Sequence, residues 1–317
     1  MLLFLVLAYV LVLVVVPILS WTRVGKVPFA PQAQPVDGAG ANYLIVGTDS
    51  REGLTARQQV ALGTGHDAGQ RTDTIMLLHV PTSLTHPTLV SVPRDSLVAI
   101  PGKGRNKINA AFSFGGPKLL TQTVENATGL RVDGYVEIGF GGFVGVVNGL
   151  GGVKMCLPKA MQDKKAHIDL QAGCQNLQGE HALGYVRARH VDAQGDLGRV
   201  ERQRRFMSTV MKETLTDSTV LNPVRLSKVG FAYSHALTVG DTTGVFDLAR
   251  FSLGMQMVSS GRGTTLTVPV KDAQVRTRVG TAVLWDRPKA AVLFKNLRDG
   301  RPIPTDLVPK MARRAAA

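Results

Sequence analysis

The stretch from Tyr185 to Arg205 concentrates guanidinium groups at spacings suited to binding phosphate. Its arginines are Arg187, Arg189, Arg199, Arg202, Arg204 and Arg205. On a strand, Arg187 and Arg189 would point to one face, since they are two residues apart. Arg199, Arg202 and Gln203 recur at i, i+3 and i+4, which gathers them on one helical face. A strand end and a helix start that both direct guanidinium groups to one place predict a binding site for phosphate or pyrophosphate, which we call the clamp. The alternative is a solvated basic surface.

Three strand-edge motifs elsewhere in the chain favour the clamp. Asp49 in GTDSR and Asp73 in RTDT follow or begin apolar runs, where α/β folds place their sites. Two carboxylates beside phosphate-binding arginines predict Mg²⁺, with Mn²⁺ as the alternative. Arg94 in SVPRD adds a guanidinium at another strand end. Each aspartate could instead be a turn residue or an ion-pair partner, and Arg94 could simply pair with Asp95.

The charge balance narrows the choice of partner. The 317 residues include 37 Lys and Arg against 23 Asp and Glu, for a net charge of +14. Such an excess favours nucleic acid, anionic lipid or a phosphorylated polymer. The sequence has neither a helix-turn-helix signature nor a basic–aromatic RNA-binding pattern, which argues against nucleic acid.

The N-terminal segment predicts a membrane anchor. The first twenty residues carry no charge and are almost wholly apolar, which at 1.5 Å per residue corresponds to about 30 Å of bilayer core. We predict an anchor at residues 1–21, a flexible Pro/Gly/Ala-rich tether at 22–41, and an extracytoplasmic domain. A cleaved signal peptide is the competing interpretation. Arg23 and Lys26 follow the helix, opposite to the positive-inside expectation for this orientation.

The two cysteines indicate the same compartment. Cys156 and Cys174 lie 18 residues apart without metal-like spacing, so in an exported domain they predict a disulfide. Two unpaired thiols in the core are the alternative.

Apolar runs and helical segments alternate along the rest of the chain. Strands are predicted at 42–47, 71–80, 89–92, 135–138, 153–157 and 264–270, and helices at 107–114, 117–128, 199–216, 245–257 and 281–297. A further apolar, Gly-rich helix is predicted between the strands at 135–138 and 153–157. Continuous apolar strands alternating with helices predict an α/β layered sandwich. We expect one catalytic domain over 42–300 and a loose basic tail over 301–317.

Seven motifs together resemble the LytR-CpsA-Psr family, in its order and spacing. They are GTDSR, RTDTIML, SVPRDS, NKINAAF, GYVEIGFGGFVGVVNGLGGV, YVRARH and GDLGRVERQ. The resemblance covers residues 42–300, and the 21 residues between Asp49 and Arg71, with the cysteine pair, are similar to its actinobacterial branch. It implies an α-β-α sandwich with a central mixed sheet. It also implies an enzyme that transfers a glycopolymer from a polyprenyl-pyrophosphate carrier to the C6 hydroxyl of N-acetylmuramic acid in peptidoglycan. The resemblance to the actinobacterial branch favours arabinogalactan as the glycopolymer, with teichoic acid or capsular polysaccharide as the alternatives.

The resemblance also implies the roles of individual residues. Asp49 and Asp73 match the family's metal-binding aspartates. Gln203 and Lys107 match polar positions at the site, and the phosphate-contacting arginines are Arg71, Arg94, Arg187, Arg189 and Arg199. In many members an acidic residue stands where this chain has Gly139.

The prenyl chain requires an apolar groove. Phe143, Val146 and Val147 recur at helical spacing, and we take them with Leu119 and Val124 as its candidate wall. The alternative is ordinary core packing.

Two other functions are compatible with the same observations. Water could replace the sugar acceptor, which would make the protein a polyprenyl-pyrophosphate pyrophosphatase. A non-enzymatic, membrane-bound regulator of transcription or envelope stress is the third hypothesis.

Overall fold

The computed structural model describes residues 15, 19–50, 54–61, 72–188, 191, 196–214, 216, 219 and 221–308. The strands are β1 Gly25–Val27, β2 Gly40–Thr48, β3 Thr72–Pro81, β4 Thr88–Val92, β5 Leu97–Ile100, β6 Gly104–Lys107, β7 Gly134–Ile138, β8 Val153–Leu157, β9 Met161–Asp163, β10 Ile168–Leu170, β11 Gly173–Leu177, β12 Leu237–Gly240, β13 Thr264–Thr267, β14 Val270–Thr277 and β15 Gly280–Trp285. The α-helices are α1 Ala56–Ala61, α2 Ile108–Thr128, α3 Phe140–Gly149, α4 Gly179–Arg187, α5 Asp196–Thr214, α6 Pro223–Ala236, α7 Val245–Ser259 and α8 Arg287–Arg298.

The chain forms two compact units, where the sequence predicted one domain. The helical unit comprises Met1–Gly25, Ser50–Asp67 and Ile138–Thr238. The sheet unit comprises Lys26–Asp49, Ala68–Glu137 and Val239–Ala317.

A seven-stranded sheet organises the sheet unit, in the order β1-β12-β7-β2-β3-β4-β13. Strands β2, β3 and β4 pair antiparallel, while β13 joins β4 in parallel, so the predicted central mixed sheet is confirmed. The run Tyr43–Val46 is buried throughout, because both faces of the sheet are covered.

Alternate residues of β3 face different helices. Ile75 and Leu77 pack in the core that holds Leu120 of α2 and Leu293 of α8. On the other face, the missing side chain of Gly254 in α7 makes room for Val80, since a Cβ there would lie 2.5 Å from Val80. Helix α2 breaks at Gly115 and Gly116, which takes φ +62°, and the predicted division into two helical segments is confirmed.

Helices and short hairpins build the helical unit. A core formed by α3, α4, α5 and α6 includes Val144, Leu183, Phe206 and Val229. Hairpins β8–β11 and β9–β10 complete it.

Three sequence predictions are corrected. Arg187 ends helix α4 rather than lying on a strand, because Ala182, Leu183 and Val186 have a helical spacing and are buried together. The segment 22–41 is not wholly a flexible tether, since β1 joins the sheet and Phe29 is 1% exposed in the core. Residues 280–285 form β15 of a hairpin with β14, and the last helix begins only at Arg287.

Both chain ends extend beyond what is described. Of the predicted anchor, only residues 15 and 19–21 are described, all helical. Within the described residues no helix is long and apolar enough to cross a bilayer. Near the other end, Ile303 and Leu307 of the predicted tail pack against the sheet-unit core.

Candidate active site

A β-bulge brings the two candidate metal-binding aspartates to the same end of the β2–β3 pair. Gly47 pairs with Thr74 and Thr48 pairs with Thr72, which leaves Asp73 as an extra residue on β3. Asp49 directly follows Thr48 at the end of β2. Bulges redirect side chains and are common beside active sites. Residues 24 positions apart in sequence are thus neighbours across the strand pair.

An alternating chain of charges extends from Asp73. Arg94 Nη1 donates to Asp73 Oδ1, and Arg94 Nε lies 3.4 Å from Asp95 Oδ2. Lys107 Nζ lies 3.1 Å from Asp95 Oδ1. We call Asp49, Asp73, Arg94, Asp95 and Lys107 the strand-end cluster. It brings four predicted residues and the ion-pair partner Asp95 into one region of the sheet unit. The ion pair of Arg94 with Asp95 is present alongside the pair with Asp73.

Backbone hydrogen bonds fix the loop that carries Arg94. The first N–H groups of α2 donate into it, from Asn109 to the Arg94 carbonyl (3.1 Å) and from Ile108 to the Ser96 carbonyl (2.9 Å). Trp285 Nε1 donates to Ser96 Oγ at 2.9 Å. Sequence analysis missed this support because β15 was assigned to a helix. The glycine at 280, which takes φ +88° just before the apolar run at residues 282–285, was the available signal for a hairpin turn.

Glu137 is a further carboxylate beside β2 that the sequence analysis did not identify. It accepts from Tyr135 Oη at 2.6 Å and from Thr48 Oγ1 at 3.3 Å. Burial raises the pKa of Tyr135, and the negative charge and hydrogen bond of Glu137 raise it further. The phenol therefore stays protonated and holds Glu137 next to the residue that precedes Asp49. The signal for this residue was that it is the only acidic side chain in the otherwise apolar strand β7.

The donor set fits a magnesium ion that is completed by substrate. Asp49, just after β2, and Asp73, at the bulge of β3, supply two carboxylates at the same end of the strand pair. Mg²⁺ is commonly bound by one or two carboxylates plus water and substrate phosphates. No group of three or more His, Cys, Asp or Glu side chains suited to a metal occurs in the described part of the chain. The fit is accordingly to an ion shared with a phosphate ligand and not to an all-protein cage.

In the helical unit, the predicted phosphate-contacting arginines are packed against protein. Arg187 ends α4 with its guanidinium carbon 4.8 Å from the ring centroid of Phe140. An arginine stacked on an aromatic face keeps a defined orientation. The first residues of α3 thereby position a side chain from the end of α4.

Helix α5 carries two more predicted site residues, Arg199 and Gln203. Arg199 is only 4% exposed, and Gln203, one turn later, donates from Nε2 to the carbonyl of Val186 at 3.3 Å. Arg202 Nη2 donates to the carbonyl of Ala188 at 2.5 Å. These two hydrogen bonds connect α5 to the end of α4. Arg202 therefore has a structural contact and is not simply part of a solvated basic surface.

Two predicted arginines cannot be placed. Arg71 and Arg189 lie outside the described residues. Their phosphate contacts stay predictions.

The predicted groove wall divides between two cores. Val146 and Val147 are 4% and 1% exposed in the helical unit, where Phe143 stacks on Phe206 with centroids 5.2 Å apart. Val124 is 1% exposed in the sheet-unit core, and Leu119 packs against that core. Since the three valines are buried among protein side chains, contact with a prenyl chain stays a prediction for this set.

The cysteines are bonded to each other. Cys156 and Cys174 occupy facing positions of the β8–β11 hairpin and form a disulfide.

Local packing explains why a residue without a side chain stands at position 139. A Cβ at this position would lie 3.1 Å from Cβ of Ser50, whose carbonyl accepts from the Phe140 N–H at 2.9 Å. A larger residue would have to displace that segment.

Comparison with protein families gives one extended match. The LytR_cpsA_psr family model matches residues 26–298. The probable cell wall biosynthesis protein LcpB of Corynebacterium glutamicum is 47% identical over 295 residues, covering 92% of this chain and 70% of its own length. The cell wall biosynthesis protein LcpA of the same organism is 30% identical, covering 85% of this chain and 58% of its own length. The regulatory protein MsrR of Staphylococcus aureus is 34% identical, covering 75% and 68%.

Solved structures share the fold. The LytR-Csp2A-Psr enzyme from Actinomyces oris superposes with a TM-score of 0.68 at 21% identity, covering 87% of this chain and 96% of its own. TagT bound to LIIa-WTA superposes with a TM-score of 0.62 at 23% identity, covering 89% and 99%.

Proposed function

The chain belongs to the LytR-CpsA-Psr family, and on that premise we propose that it transfers a glycopolymer from a polyprenyl-pyrophosphate carrier to peptidoglycan. The resemblance inferred from the seven motifs is confirmed by the family match, and the relatives named for cell wall biosynthesis give the broad role. One observation carries the proposal for the chemistry. Asp73 and Arg94 are bonded to each other at a β-bulge beside Asp49, which assembles carboxylates and a guanidinium at the end of two strands.

Phosphoryl transfer to a sugar hydroxyl depends on positioning and charge neutralisation more than on a protein nucleophile. Arg94 is suited to this task because a guanidinium has five N–H donors. It can hold Asp73 and contact a phosphate oxygen at the same time. The hydrogen bonds from α2 and Trp285 keep its loop fixed, so little reorganisation accompanies the reaction.

Asp49 and Asp73 would hold Mg²⁺, with Mn²⁺ as the alternative. A bound divalent ion supplies charge neutralisation at the phosphate oxygens. Glu137, held by Tyr135 and Thr48, would keep the end of β2 in place while that ion binds.

Within the helical unit, Arg187, Arg189 and Arg199 would bind phosphate groups of the substrate. Gln203 would keep α5 registered on α4 through its bond to Val186. Stacking on Phe140 limits the rotamers of Arg187, which lowers the entropy lost when it binds an anion.

We propose arabinogalactan as the glycopolymer on the basis of the resemblance to the actinobacterial branch. The two Corynebacterium relatives named for cell wall biosynthesis support a role in the cell wall. A phosphodiester to the C6 hydroxyl of N-acetylmuramic acid would be the product. The solved structure of TagT, which shares this fold, is bound to LIIa-WTA, and this supports wall teichoic acid as the second candidate. We further propose that residues 1–21 anchor the protein in the cell membrane and that the domain is extracytoplasmic.

Purified full-length protein, a synthetic lipid-pyrophosphate glycan donor and peptidoglycan test the proposal. Transfer should require Mg²⁺ and should be lost in Asp73→Ala and Arg189→Ala. Lys154→Ala, an exposed lysine of the β8 strand, is the matched control and should retain transfer. Unchanged transfer in both site variants would overturn the assignment of the site.

Hydrolysis of the same donor is the second enzymatic candidate, since water could take the place of the acceptor. Product analysis with and without peptidoglycan separates the two. A free glycopolymer phosphate formed equally in both conditions would favour a pyrophosphatase.

The name of the Staphylococcus relative, a regulatory protein, favours a third candidate. Labelling of intact cells with a membrane-impermeant thiol reagent after reduction tests it. Labelled cysteines would place the domain outside the membrane and exclude direct transcriptional binding.

A further inference from the structure

An open cleft in the helical unit has both basic and apolar walls. It lies between the end of α3 and the outer face of α6, with a volume of about 870 Å³. Its principal lining residues are Leu150, Val224, Arg225, Lys228, Phe231 and His235, which we call the basic groove. No aspartate or glutamate lines it in the part of the chain that the structure describes. The groove therefore matches a ligand with a negative head and an apolar body.

The groove is a built feature of the fold. Gly149 allows α3 to approach α6 closely, because a Cβ there would lie 2.6 Å from Cβ of Ala232. Asn222 caps α6 by accepting from the N–H groups of Val224 and Arg225 at 3.0 Å each. Arg225 Nη2 in turn donates to the carbonyl of Leu150 at 3.3 Å, which holds its guanidinium across the groove.

The N-terminal helical residues end beside the groove. Arg23 lies over the ring of Phe231, with its guanidinium carbon 4.8 Å from the ring centroid. Just before it, Trp21 ends the helical residues, and Leu19 is 45% exposed. A tryptophan followed by an arginine at the end of an apolar helix is typical of a membrane–water interface. The contact with Phe231 thus places one wall of the groove at the level where the proposed anchor would leave the bilayer.

Exposed apolar residues continue from the groove along the same unit. Leu221 is 69% exposed and Val224 is 64% exposed at the start of α6. Single exposed apolar residues are ordinary on protein surfaces. Here they adjoin the basic side chains Arg225 and Lys228, and this combination is typical of surfaces that lie on anionic membranes.

We propose that the basic groove binds the headgroup of an anionic phospholipid from the membrane that carries the protein. Arg225 and Lys228 would contact the phosphate, while Leu221 and Val224 would enter the acyl boundary. This role is separate from glycopolymer transfer. It relies on the proposed membrane anchor for orientation, and the test below reads lipid contact and not activity.

Full-length protein carrying Leu221→Cys, labelled with a bimane fluorophore, is reconstituted into phosphatidylcholine–phosphatidylglycerol vesicles. Either the anionic or the zwitterionic lipid is brominated at the same mole fraction. We expect quenching by brominated phosphatidylglycerol to exceed quenching by brominated phosphatidylcholine by about twofold or more. The Arg225→Glu/Lys228→Glu variant should equalise the two, and Lys154→Glu/Lys159→Glu, which reverses two exposed lysines of the same unit, should not.

Three results would overturn the proposal. The first is equal quenching by both lipids in the parent protein, and the second is loss of the preference in the Lys154/Lys159 control. The third is loss of the preference on addition of millimolar inorganic phosphate at constant ionic strength, because the groove would then bind free phosphate. If the charge-reversed protein does not fold, Arg225→Gln/Lys228→Gln gives the same comparison without added negative charge.

Discussion

The guanidinium groups of the strand-end cluster and of the helical unit are oriented by different kinds of contact. Arg94 sits in a loop, is partly exposed, and is oriented by ion pairs with Asp73 and Asp95. Arg199 is 4% exposed within helix α5, and Arg187 is oriented by the ring of Phe140. A guanidinium paired with partly exposed carboxylates is expected to contribute little to folding. A buried one is part of the core. The two regions should therefore respond differently to the same substitution.

The largest expected effect is on transfer when Arg94 is removed. Arg94→Ala should lower the transfer rate by about 10²–10³, as for loss of one preorganised donor. Arg94→Lys should restore only part of it, since the planar fork is absent. The midpoint of thermal unfolding should stay near that of the parent protein. A large drop in that midpoint would show that the strand-end cluster is structural.

Arg199→Ala should reduce both transfer and stability. Removing a long, buried, charged side chain is expected to lower the free energy of unfolding by about 2–4 kcal/mol. Urea unfolding followed by circular dichroism measures this change, with Arg205→Ala, an exposed arginine of the same helix, as the control. If Arg199→Ala unfolds like the control, the proposed contrast between the two regions is wrong.

The disulfide should stabilise only the helical unit. Cys156→Ser/Cys174→Ser opens a loop with a separation of 18 residues, and loop-entropy arguments give a loss of about 3 kcal/mol. Hydrogen exchange resolved by peptide is the measurement. Protection should fall in β8 and β11 while it is retained in β2 and β3. Equal loss in the sheet unit would mean that the units unfold together.

A smaller, pH-dependent effect is expected in the sheet unit. Burial, with a smaller contribution from nearby Arg250, lowers the pKa of His79 from 6.5 to about 4. Its Nδ1–H donates to Asn42 Oδ1 at 2.9 Å. The unfolded chain then binds more protons than the folded one between these two values. Stability should fall by about 1–2 kcal/mol as the pH drops from 7 to 5.

Comparison with His79→Gln isolates this contribution from that of the buried carboxyl groups. Burial raises the pKa values of Glu125 and Asp133, which acts in the opposite sense on acidification. The acid-side loss should be smaller in His79→Gln by that 1–2 kcal/mol. Parallel stability curves for the two proteins would contradict the assignment.

The sequence predicted the features of the fold that depend on local pattern. Continuous apolar runs gave β2 and β3, and the Gly115-Gly116-Pro117 break gave the division of α2. Helices α5 and α7 followed from their spacing. The β14–β15 hairpin was missed, because its outer strand is mostly exposed and carries two bulges that obscure the period-two alternation.

The candidate site was predictable as a set of residues but not as an arrangement. Charged residues at the ends of apolar runs identified Asp49, Asp73 and Arg94. The bulge at Asp73, the hydrogen bonds from α2 to the Arg94 loop and the Tyr135–Glu137 pair depend on register and tertiary contact. A two-residue spacing also misassigned Arg187 to a strand, since the buried side chains of α4 determine its local structure.

The pairing of Thr48 with Thr72 has a consequence for how this family can diversify. Strand register holds Asp49 and Asp73 next to each other, whatever number of residues connects them. The entropy of closing that connection grows slowly, by about 0.6 kcal/mol for each doubling of its length. The length of the connection between Asp49 and Asp73 can thus change at little cost in free energy while the strand pairing keeps the two carboxylates in place.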